Sequence, residues 1–385
     1  MGLQCTEIKD KKELKRFITF PRELYKNDPN FIFEPLLIQR PFFSRSNPFF
    51  EHSQVRFFLA QKGGIMVGRV AVVTNTVHNK TYHERTGFFG FFDAVYDHDV
   101  AKILLDKVIE IHTQNGFEKI IGPTNFTTND PCGVLISGFE HPPVILMPYN
   151  KPYYNDLLLR YGFEKEVDMA SWRFDERVIG RPFFGRPIEG IEQKLAASDI
   201  TIRNIRYKDL QQEIVQMREV YNRANIDNWG FVPLNQSEFR YMTGQLKAFV
   251  PERMVFLAEQ NRKQVGFLVT LPDMNTAFRY VRSGKLLPFG WIKLLWHKRK
   301  ITNVRILILG VDPLFRNRGI DIMLYEKLRR GLIRMGFCSG EACYVMENNR
   351  AMKAILSKSG CIKVKEYRLY GIDLSRTRER CKMKV

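Results

Sequence analysis

Apolar and polar residues alternate along the first half of the chain in runs that predict both strands and helices. Residues 55–60 and 66–74 are β-rich runs around a short glycine-containing break, which predicts a hairpin. The apolar run 87–95 predicts a third strand. Residues 99–114 carry apolar side chains at helical spacing and end at Asn115-Gly116, a good helix terminus. The pattern therefore predicts a sheet flanked by helices.

The second half of the chain repeats this order of elements. Residues 256–258 match residues 58–60 at an offset of 198 positions, and Gly266 follows Gly68 at the same offset. A matched order of elements over about half the chain favours two copies of one fold. Chance is the alternative explanation for such short identities.

Glycine, proline and arginine are concentrated between the two repeats, which is the composition of a linker. We predict an N-terminal domain at residues 1–178, a linker at 179–199 and a C-terminal domain at 200–385. A chain of 385 residues is long enough to bury two cores.

Charge and cysteine content limit the partners and the compartment. The formal net charge of +19 predicts a surface that attracts phosphates, anionic lipids or acidic proteins, although it can also serve solubility alone. The six cysteines form no C-x-x-C pair and no zinc-finger spacing, so neither a disulfide framework nor a bound metal is expected. There is no signal-peptide pattern and no apolar run of the about 20 residues that span a bilayer. We expect a cytoplasmic protein.

The clearest chemical signal follows an apolar strand at residues 306–311. Residues 316–321 read Arg-Asn-Arg-Gly-Ile-Asp and open an amphipathic helix that runs to about Arg334. Free backbone N–H groups and the helix dipole favour an anion at such a helix start. Because guanidinium matches phosphate geometry, Arg316 and Arg318 complete a predicted phosphate cradle.

This segment resembles the GNAT superfamily of acyltransferases. Their motif V-x-P-x-x-R-x-x-G-x-G/A stands here as Val311, Pro313, Arg316, Gly319 and Asp321, so a carboxylate replaces the usual small residue. The resemblance implies an α/β (α+β) fold of two tandem GNAT-like domains, each a mixed central sheet flanked by helices. It also implies acyl-CoA or acetyl-CoA as co-substrate. The implied cofactor-binding residues are Leu309, Val311, Arg316, Asn317, Arg318, Gly319, Ile320, Asp321 and Asn349.

The resemblance extends to the catalytic groups. The backbone N–H of Leu309 occupies the place of the donor that polarises the thioester carbonyl. Glu347 is our candidate for accepting the amine proton, directly or through water, and a solvated helix cap is its alternative role. Leu356 stands where the family has its tyrosine general acid, so another group or solvent must protonate the thiolate.

Loop residues are the candidate contacts of the acceptor. Asn125 and Asn129 follow a strand of the first half, and turn formation is the alternative for both. Trp229 and Phe231 belong to an aromatic loop that borders the acceptor in GNAT proteins. No Arg-x-x-Gly loop follows Asp93, so we expect the first domain to lack a cofactor of its own.

Residues 283–300 are an insertion before the cofactor-binding strand, with an apolar, tryptophan-containing block and a basic block. Tryptophan and lysine anchor at the headgroup level of a bilayer, so we predict peripheral contact with the inner face of the cytoplasmic membrane. A buried helix with a solvated basic end is the alternative.

The first half also resembles a bacterial tandem-GNAT group, through the aromatic strand at 87–92 and the Gly-Pro-x-Asn loop at 122–125. That group includes ceramide-forming N-acyltransferases. The resemblance implies transfer of a long acyl group from acyl-CoA or an acyl carrier protein to the amine of a long-chain base. The alternatives are an acetyl-CoA-dependent N-acetyltransferase of a soluble amine or protein lysine, and a non-catalytic basic binding protein. No helix-turn-helix or zinc-finger pattern favours a nucleic-acid partner.

Overall fold

A computed structural model describes residues 2–181 and 188–374, which divide into two compact units. The first unit is Met1–Met169 with Arg282–Lys285 and Lys365–Val385, and the second is Ala170–Val281 with Leu286–Val364. Residues 182–187 of the expected linker lie outside the described residues. The domain bounds drawn from the sequence stay a prediction.

The first unit is built around an open mixed sheet. Strands β1 to β4 are antiparallel neighbours, β5 pairs in parallel with β4, and residues 370–373 pair antiparallel with β5. Its elements are β1 (Leu3–Glu7), α1 (Lys11–Leu24), α2 (Leu36–Gln39), β2 (Gln54–Lys62), β3 (Ile65–Thr74), α3 (Thr76–Tyr82), β4 (Thr86–Ala94), α4 (His98–Gln114), β5 (Lys119–Gly122), β6 (Val134–Ser137), α5 (Tyr153–Tyr161) and the first part of β7 (Glu164–Phe174).

Local sequence explains the central elements of this unit. The β2–β3 hairpin, the strand β4 and the helix α4 confirm the hairpin, third strand and helix expected from the pattern. Asp97 caps α4 by accepting hydrogen bonds from the N–H groups of Asp99 and Val100. A Cβ on Gly68 would lie 2.7 Å from Leu104 Cδ1, so the glycine lets α4 approach β3 closely.

The second unit has its own mixed sheet. Strands β8 to β11 are antiparallel neighbours, and β12 pairs in parallel with β11. Its elements are α6 (Glu176–Ile179), α7 (Glu189–Ala197), β8 (Ile200–Asn204), α8 (Leu210–Asn225), α9 (Gln236–Lys247), β9 (Val255–Gln260), β10 (Lys263–Pro272), α10 (Asn275–Phe278), α11 (Gly290–Lys298), β11 (Asn303–Val311), α12 (Ile320–Met335), β12 (Ser339–Met346), α13 (Arg350–Lys358) and the start of β13 (Ile362–Asp373).

Helices cover both faces of the second sheet. Phe256 faces α12, since its ring lies 3.5 Å from the Cβ position of Gly331. The next residue towards the start of β9, Val255, lines a cavity with residues of α8 and α9. Successive strand residues point to opposite faces, so α12 lies on one face and α8 with α9 on the other.

Candidate active site

Strands β11 and β12 separate part-way along their length. Residues 303–306 pair with 339–342, and the pairing does not continue beyond Ile306 within the described part of the chain. Against β10, Val269 pairs with Ile308 and Thr270 with Ile306, which leaves Leu307 in a bulge. The bulge and the separation open a slot beside the half-exposed residues Leu307, Ile308 and Leu309.

The loop after β11 begins at a buried aspartate. Asp312 Oδ1 accepts a hydrogen bond from the N–H of Leu314 at 3.1 Å. Its Oδ2 accepts one from Arg223 Nε of α8 at 2.8 Å. The ion pair therefore fixes the direction in which the chain leaves Val311 for the helix start.

The start of α12 follows a loop with two residues of positive φ. Asn317 has φ +63° and Gly319 has φ +85°, so the backbone makes two left-handed turns just before Ile320. Gly319 is the N-cap residue, and no side chain among the described residues caps this helix. The first N–H groups of α12 are thus available to an external acceptor, which fits the pyrophosphate of a coenzyme A thioester. Asp321 lies in the first turn, where its carboxylate competes with an anion.

The two arginines of the loop have different surroundings. Arg316 Nη2 donates to the carbonyl of Ala224 at 3.0 Å, and its Nη1 lies 3.6 Å from Asp227 Oδ2. Arg318 lies over the ring of Phe315, with 4.8 Å between Cζ and the ring centroid. Both side chains keep further N–H donors for a phosphate.

The last helix of the unit begins at Asn349. Its side chain accepts a hydrogen bond from the N–H of Met352 at 3.0 Å, so Asn349 is the N-cap of α13. Glu347 is half-buried just after β12, and its backbone carbonyl accepts a hydrogen bond from Lys353 Nζ at 2.5 Å. The roles of Asn349 at the cofactor arm and of Glu347 as proton acceptor stay predictions.

A tyrosine that the sequence reasoning did not single out lies beside this helix. The hydroxyl of Tyr325, on α12, is 3.6 Å from Met352 Sδ on α13. Burial, and next the nearby carboxylate of Asp321, raise the pKa of Tyr325, so the hydroxyl stays protonated. Leu356, which stands where the family has its tyrosine, is buried. In the sequence, only the position of Tyr325 on the helix after the loop could have pointed to this residue.

An apolar cavity adjoins the slot. Its wall includes Leu307 and Ile308, which directly precede Leu309 in β11. The rest of the wall comes from the helices α8 and α9, the strands β9 and β10, and the connecting segments next to β8 and β9. These residues are Ile205, Tyr207, Leu210, Ile214, Met217, Phe239, Met242, Thr243, Leu246, Lys247, Val250, Val255, Phe267 and Val269. Such a lining favours an aliphatic ligand over a polar one.

The candidate acceptor residues of the second unit differ in exposure. Phe231 is buried, and its ring meets that of Tyr221 edge-on at 5.4 Å between centroids. Trp229 is half-buried on the loop after α8. Phe231 therefore packs beneath the loop, whereas Trp229 keeps an exposed surface that a ligand could contact.

The candidate acceptor residues of the first unit take part in local hydrogen bonds. Asn125 Oδ1 accepts from the N–H of Phe91 at 2.9 Å, and the N–H of Asn129 donates to Thr127 Oγ1 at 3.0 Å. Substrate contact by either asparagine stays a prediction.

In the first unit, the chain itself occupies the space between β4 and β5 that corresponds to the slot between β11 and β12. Strands β4 and β5 pair only as far as Phe88 and Ile121. Beyond that point the N–H of Thr124 donates to the carbonyl of Phe89 at 2.7 Å, and a Cβ on Gly90 would lie 1.9 Å from the carbonyl oxygen of Thr124. The chain itself occupies this space, which is a physical reason to expect no thioester in the first unit.

Residues 2–181 and 188–374 contain neither a cluster of metal-ligating side chains nor a helix that could span a membrane. No group of three or more histidine, cysteine, aspartate or glutamate side chains is placed to hold a metal ion there. Within the same ranges, no helix is both long and apolar enough to span a membrane.

Comparison with known proteins gives the family. No family profile matches the chain. Protein YghO of Escherichia coli (strain K12) is 35% identical over 370 residues, covering 94% of this chain and 93% of that protein. The bacterial ceramide synthase of Caulobacter vibrioides (strain NA1000 / CB15N) is 32% identical over 377 residues, covering 96% and 97%.

Solved structures give the fold. A tandem GNAT protein from the clavulanic acid biosynthesis pathway has a TM-score of 0.56 at 10% identity and covers 97% of this chain and 98% of its own. A probable N-acyltransferase from Enterococcus faecalis V583 has a TM-score of 0.53 at 9% identity, covering 97% of this chain and 73% of its own. The chain belongs to the family of Protein YghO and the Caulobacter bacterial ceramide synthase, and it has the tandem GNAT fold. In this tandem GNAT protein the loop with Arg316 and Gly319, which the motif predicts to bind the cofactor, lies in the second unit.

Proposed function

We propose that this tandem GNAT protein is an N-acyltransferase that moves a long acyl group from a thioester to the amine of a long-chain base. The observation that carries the proposal is the apolar cavity, whose wall includes the two residues before Leu309. The relative named bacterial ceramide synthase supports an amine acceptor of lipid type. Acyl-CoA and an acyl carrier protein are both donors that the loop at Arg316 and Arg318 suits, since each carries a phosphopantetheine arm.

The cavity borders several strands of the second sheet. Its lining extends from Ile205, just after β8, through Val255 and Phe267 to Leu307 of β11. An alkyl chain along it would replace water at an apolar surface, which is favourable.

The chemistry needs a polarised carbonyl, a neutral amine and a protonated leaving group. The backbone N–H of Leu309 would stabilise the oxyanion that forms when the amine nitrogen attacks the thioester carbon. Glu347 would take the proton released by the amine as the amide bond forms. The carbon–sulfur bond then breaks, and Tyr325 is our candidate for donating a proton to the departing thiolate.

Chain-length selectivity tests the proposal. Amide formation should be measured with acetyl, octanoyl and palmitoyl thioesters, each offered a long-chain base and a soluble amine. We expect the palmitoyl thioester and the long-chain base to give the highest kcat/KM. Thr243→Trp, in the cavity wall, should lower kcat/KM for palmitoyl by about tenfold or more while sparing acetyl transfer. Gln245→Trp places the same side chain on the exposed face of α9 and is the matched control.

Two outcomes would contradict the proposal. A preference for acetyl-CoA with soluble amines would make the protein a conventional N-acetyltransferase. Absence of transfer with every thioester and amine, in protein that folds normally, would favour a non-catalytic binding protein.

A further inference from the structure

Helix α11 exposes its apolar side to solvent. The side chains of Trp291, Ile292, Leu295 and Trp296 are between 47 and 61% exposed, and no residue of the helix is buried. In the turn before the helix, Leu287 and Phe289 are 78% and 68% exposed. A surface helix of a globular protein normally turns its apolar stripe towards the core. The alternative of a buried helix is therefore wrong for this segment.

The exposed apolar residues form one continuous stripe. At 3.6 residues per turn, Trp291, Leu295, Ile292 and Trp296 fall in that angular order within an arc of about 140°. Leu294 and His297 fall on the opposite side of the helix and are half-buried. The His297 ring stacks on Tyr280 at 3.5 Å between centroids, which keeps this side towards the protein. The apolar stripe therefore points outward.

Basic residues border the stripe. Lys293 and Lys298 fall just beyond its two edges on the helical wheel, and both are exposed. Arg299 and Lys300 follow at the end of the helix, also exposed. Residues 286–311 contain no aspartate or glutamate, so no carboxylate in this segment offsets the positive charge.

We infer that α11 with the preceding turn docks this protein on a membrane surface rich in anionic lipids. The apolar stripe would enter the boundary between headgroups and acyl chains, and the tryptophan rings would lie at headgroup depth. Lys293 and Lys298 would meet lipid phosphates on either side of the stripe. The inference goes beyond the proposed acyl transfer and does not depend on it.

A second copy of the chain is a poorer occupant of this surface. Two-fold packing of α11 on α11 would bring the same borders together. Lys293 and Lys298 would then face like charges with no carboxylate in the segment to pair with them. An anionic bilayer instead offers an apolar layer for the stripe and negative groups for the lysines.

Vesicle binding tests the inference with the full-length protein. Sedimentation should be compared between vesicles of phosphatidylcholine alone and vesicles with equal amounts of phosphatidylcholine and phosphatidylglycerol. We expect binding to the phosphatidylglycerol vesicles at least about tenfold stronger, and weaker at high salt. The double variant Trp291→Ser/Trp296→Ser should lose about tenfold or more of that affinity. Lys293→Gln/Lys298→Gln should lose mainly the preference for phosphatidylglycerol.

The matched control replaces two exposed apolar residues of the first unit. Ile65→Ser/Tyr96→Ser removes side chains that are 71% and 59% exposed and should bind vesicles as the unchanged protein does. The inference is overturned if the protein without substitutions binds neither kind of vesicle. The inference is also overturned if Trp291→Ser/Trp296→Ser binds the vesicles normally. It is likewise overturned if the protein is a dimer and this variant is a monomer. Vesicle binding needs no thioester or amine, so its result is separate from the success or failure of acyl transfer.

Discussion

Arg316 donates a hydrogen bond to the backbone carbonyl of Ala224, at an N–O distance of 3.0 Å. The carbonyl belongs to the last turn of α8, the helix that also supplies Arg223 to Asp312. Two arginines therefore cross-link the end of α8 and the loop before α12. The arginine of the GNAT motif has a structural contact in addition to its expected place at the pyrophosphate.

We predict that Arg316→Ala and Arg318→Ala each weaken thioester binding by about tenfold, because each removes a charge-assisted phosphate contact. Arg316→Ala should also lower the free energy of unfolding, by about 0.5 kcal/mol, since its contacts are partly exposed. Calorimetric titration with palmitoyl-CoA and chemical denaturation measure the two effects.

Arg240→Ala is the control for these arginine variants. It removes the same charge from the exposed surface of α9 in the same unit. Equal loss of affinity in all three variants would mean that only net charge attracts the thioester, and the assignment of the loop would fail.

The second prediction concerns a substitution of Gly319 in the turn before α12. Gly319 has φ +85°, and an added Cβ would lie 2.7 Å from Ile191 Cγ2 of α7. Gly319→Ala should therefore combine backbone strain of about 1 kcal/mol with a steric clash of about 1–3 kcal/mol. It should also weaken thioester binding, because the N–H groups of α12 would move.

The other end of the same helix provides the control. Gly336 has φ +75°, but nothing lies within 4 Å of its Cβ position. Gly336→Ala should cost only the strain, about 1 kcal/mol. Ile191→Ala should reduce the cost of Gly319→Ala. If the two glycine variants are equally stable, the contact with Ile191 has no energetic weight.

Local patterns predicted the elements around this loop because neighbouring residues determine them. The strand before Asp312 and the helix expected to end near Arg334 appear as β11 and as α12, which ends at Met335. The short strand β1 was missed. Its five residues alternate between half-buried and exposed, so they carry little apolar signal.

Long-range packing was beyond the sequence pattern. The membership of residues 365–374 in the first unit depends on pairing with β5, more than 200 positions away in the chain. The contact of Ile191 with Gly319 and the separation of β11 from β12 also join distant segments. No local spacing encodes such contacts, so the loop was recognisable from sequence whereas the slot and the cavity were not.

The third prediction concerns Tyr325 as the proton donor. If its hydroxyl protonates the departing thiolate, Tyr325→Phe should lower kcat by about tenfold to a hundredfold with little change in thioester affinity. Tyr280→Phe, which removes a hydroxyl from a half-exposed ring in the same unit, is the control. Unchanged kcat in Tyr325→Phe would assign the proton to solvent. Single-turnover kinetics separates this step from product release.

The fourth prediction concerns Glu347 as the acceptor of the amine proton. Glu347→Gln keeps the size of the side chain but cannot accept the proton of the amine, so kcat should fall by about a hundredfold or more. Normal kcat in Glu347→Gln would leave this residue the role of a solvated group beside α13.

The fifth prediction concerns acid stability and rests on His112. This histidine is buried in α4, its Nε2 lies 2.9 Å from the carbonyl oxygen of Phe88, and its Nδ1 has no partner in the described structure. Burial lowers the pKa of His112 from 6.5 to about 4. The folded state therefore binds this proton less readily than the unfolded chain does.

The sign of the effect follows from that difference. The contribution of neutral His112 to stability is complete above about pH 6.5 and is lost as the pH falls from there to about 4, by a total of about 3 kcal/mol. Chemical denaturation at several pH values measures it. His112→Gln keeps an N–H donor but cannot titrate, so its unfolding free energy should fall less steeply with acid. His141→Gln, on a partly exposed loop, should keep the original slope, and identical slopes in all three proteins would show that His112 does not titrate on unfolding.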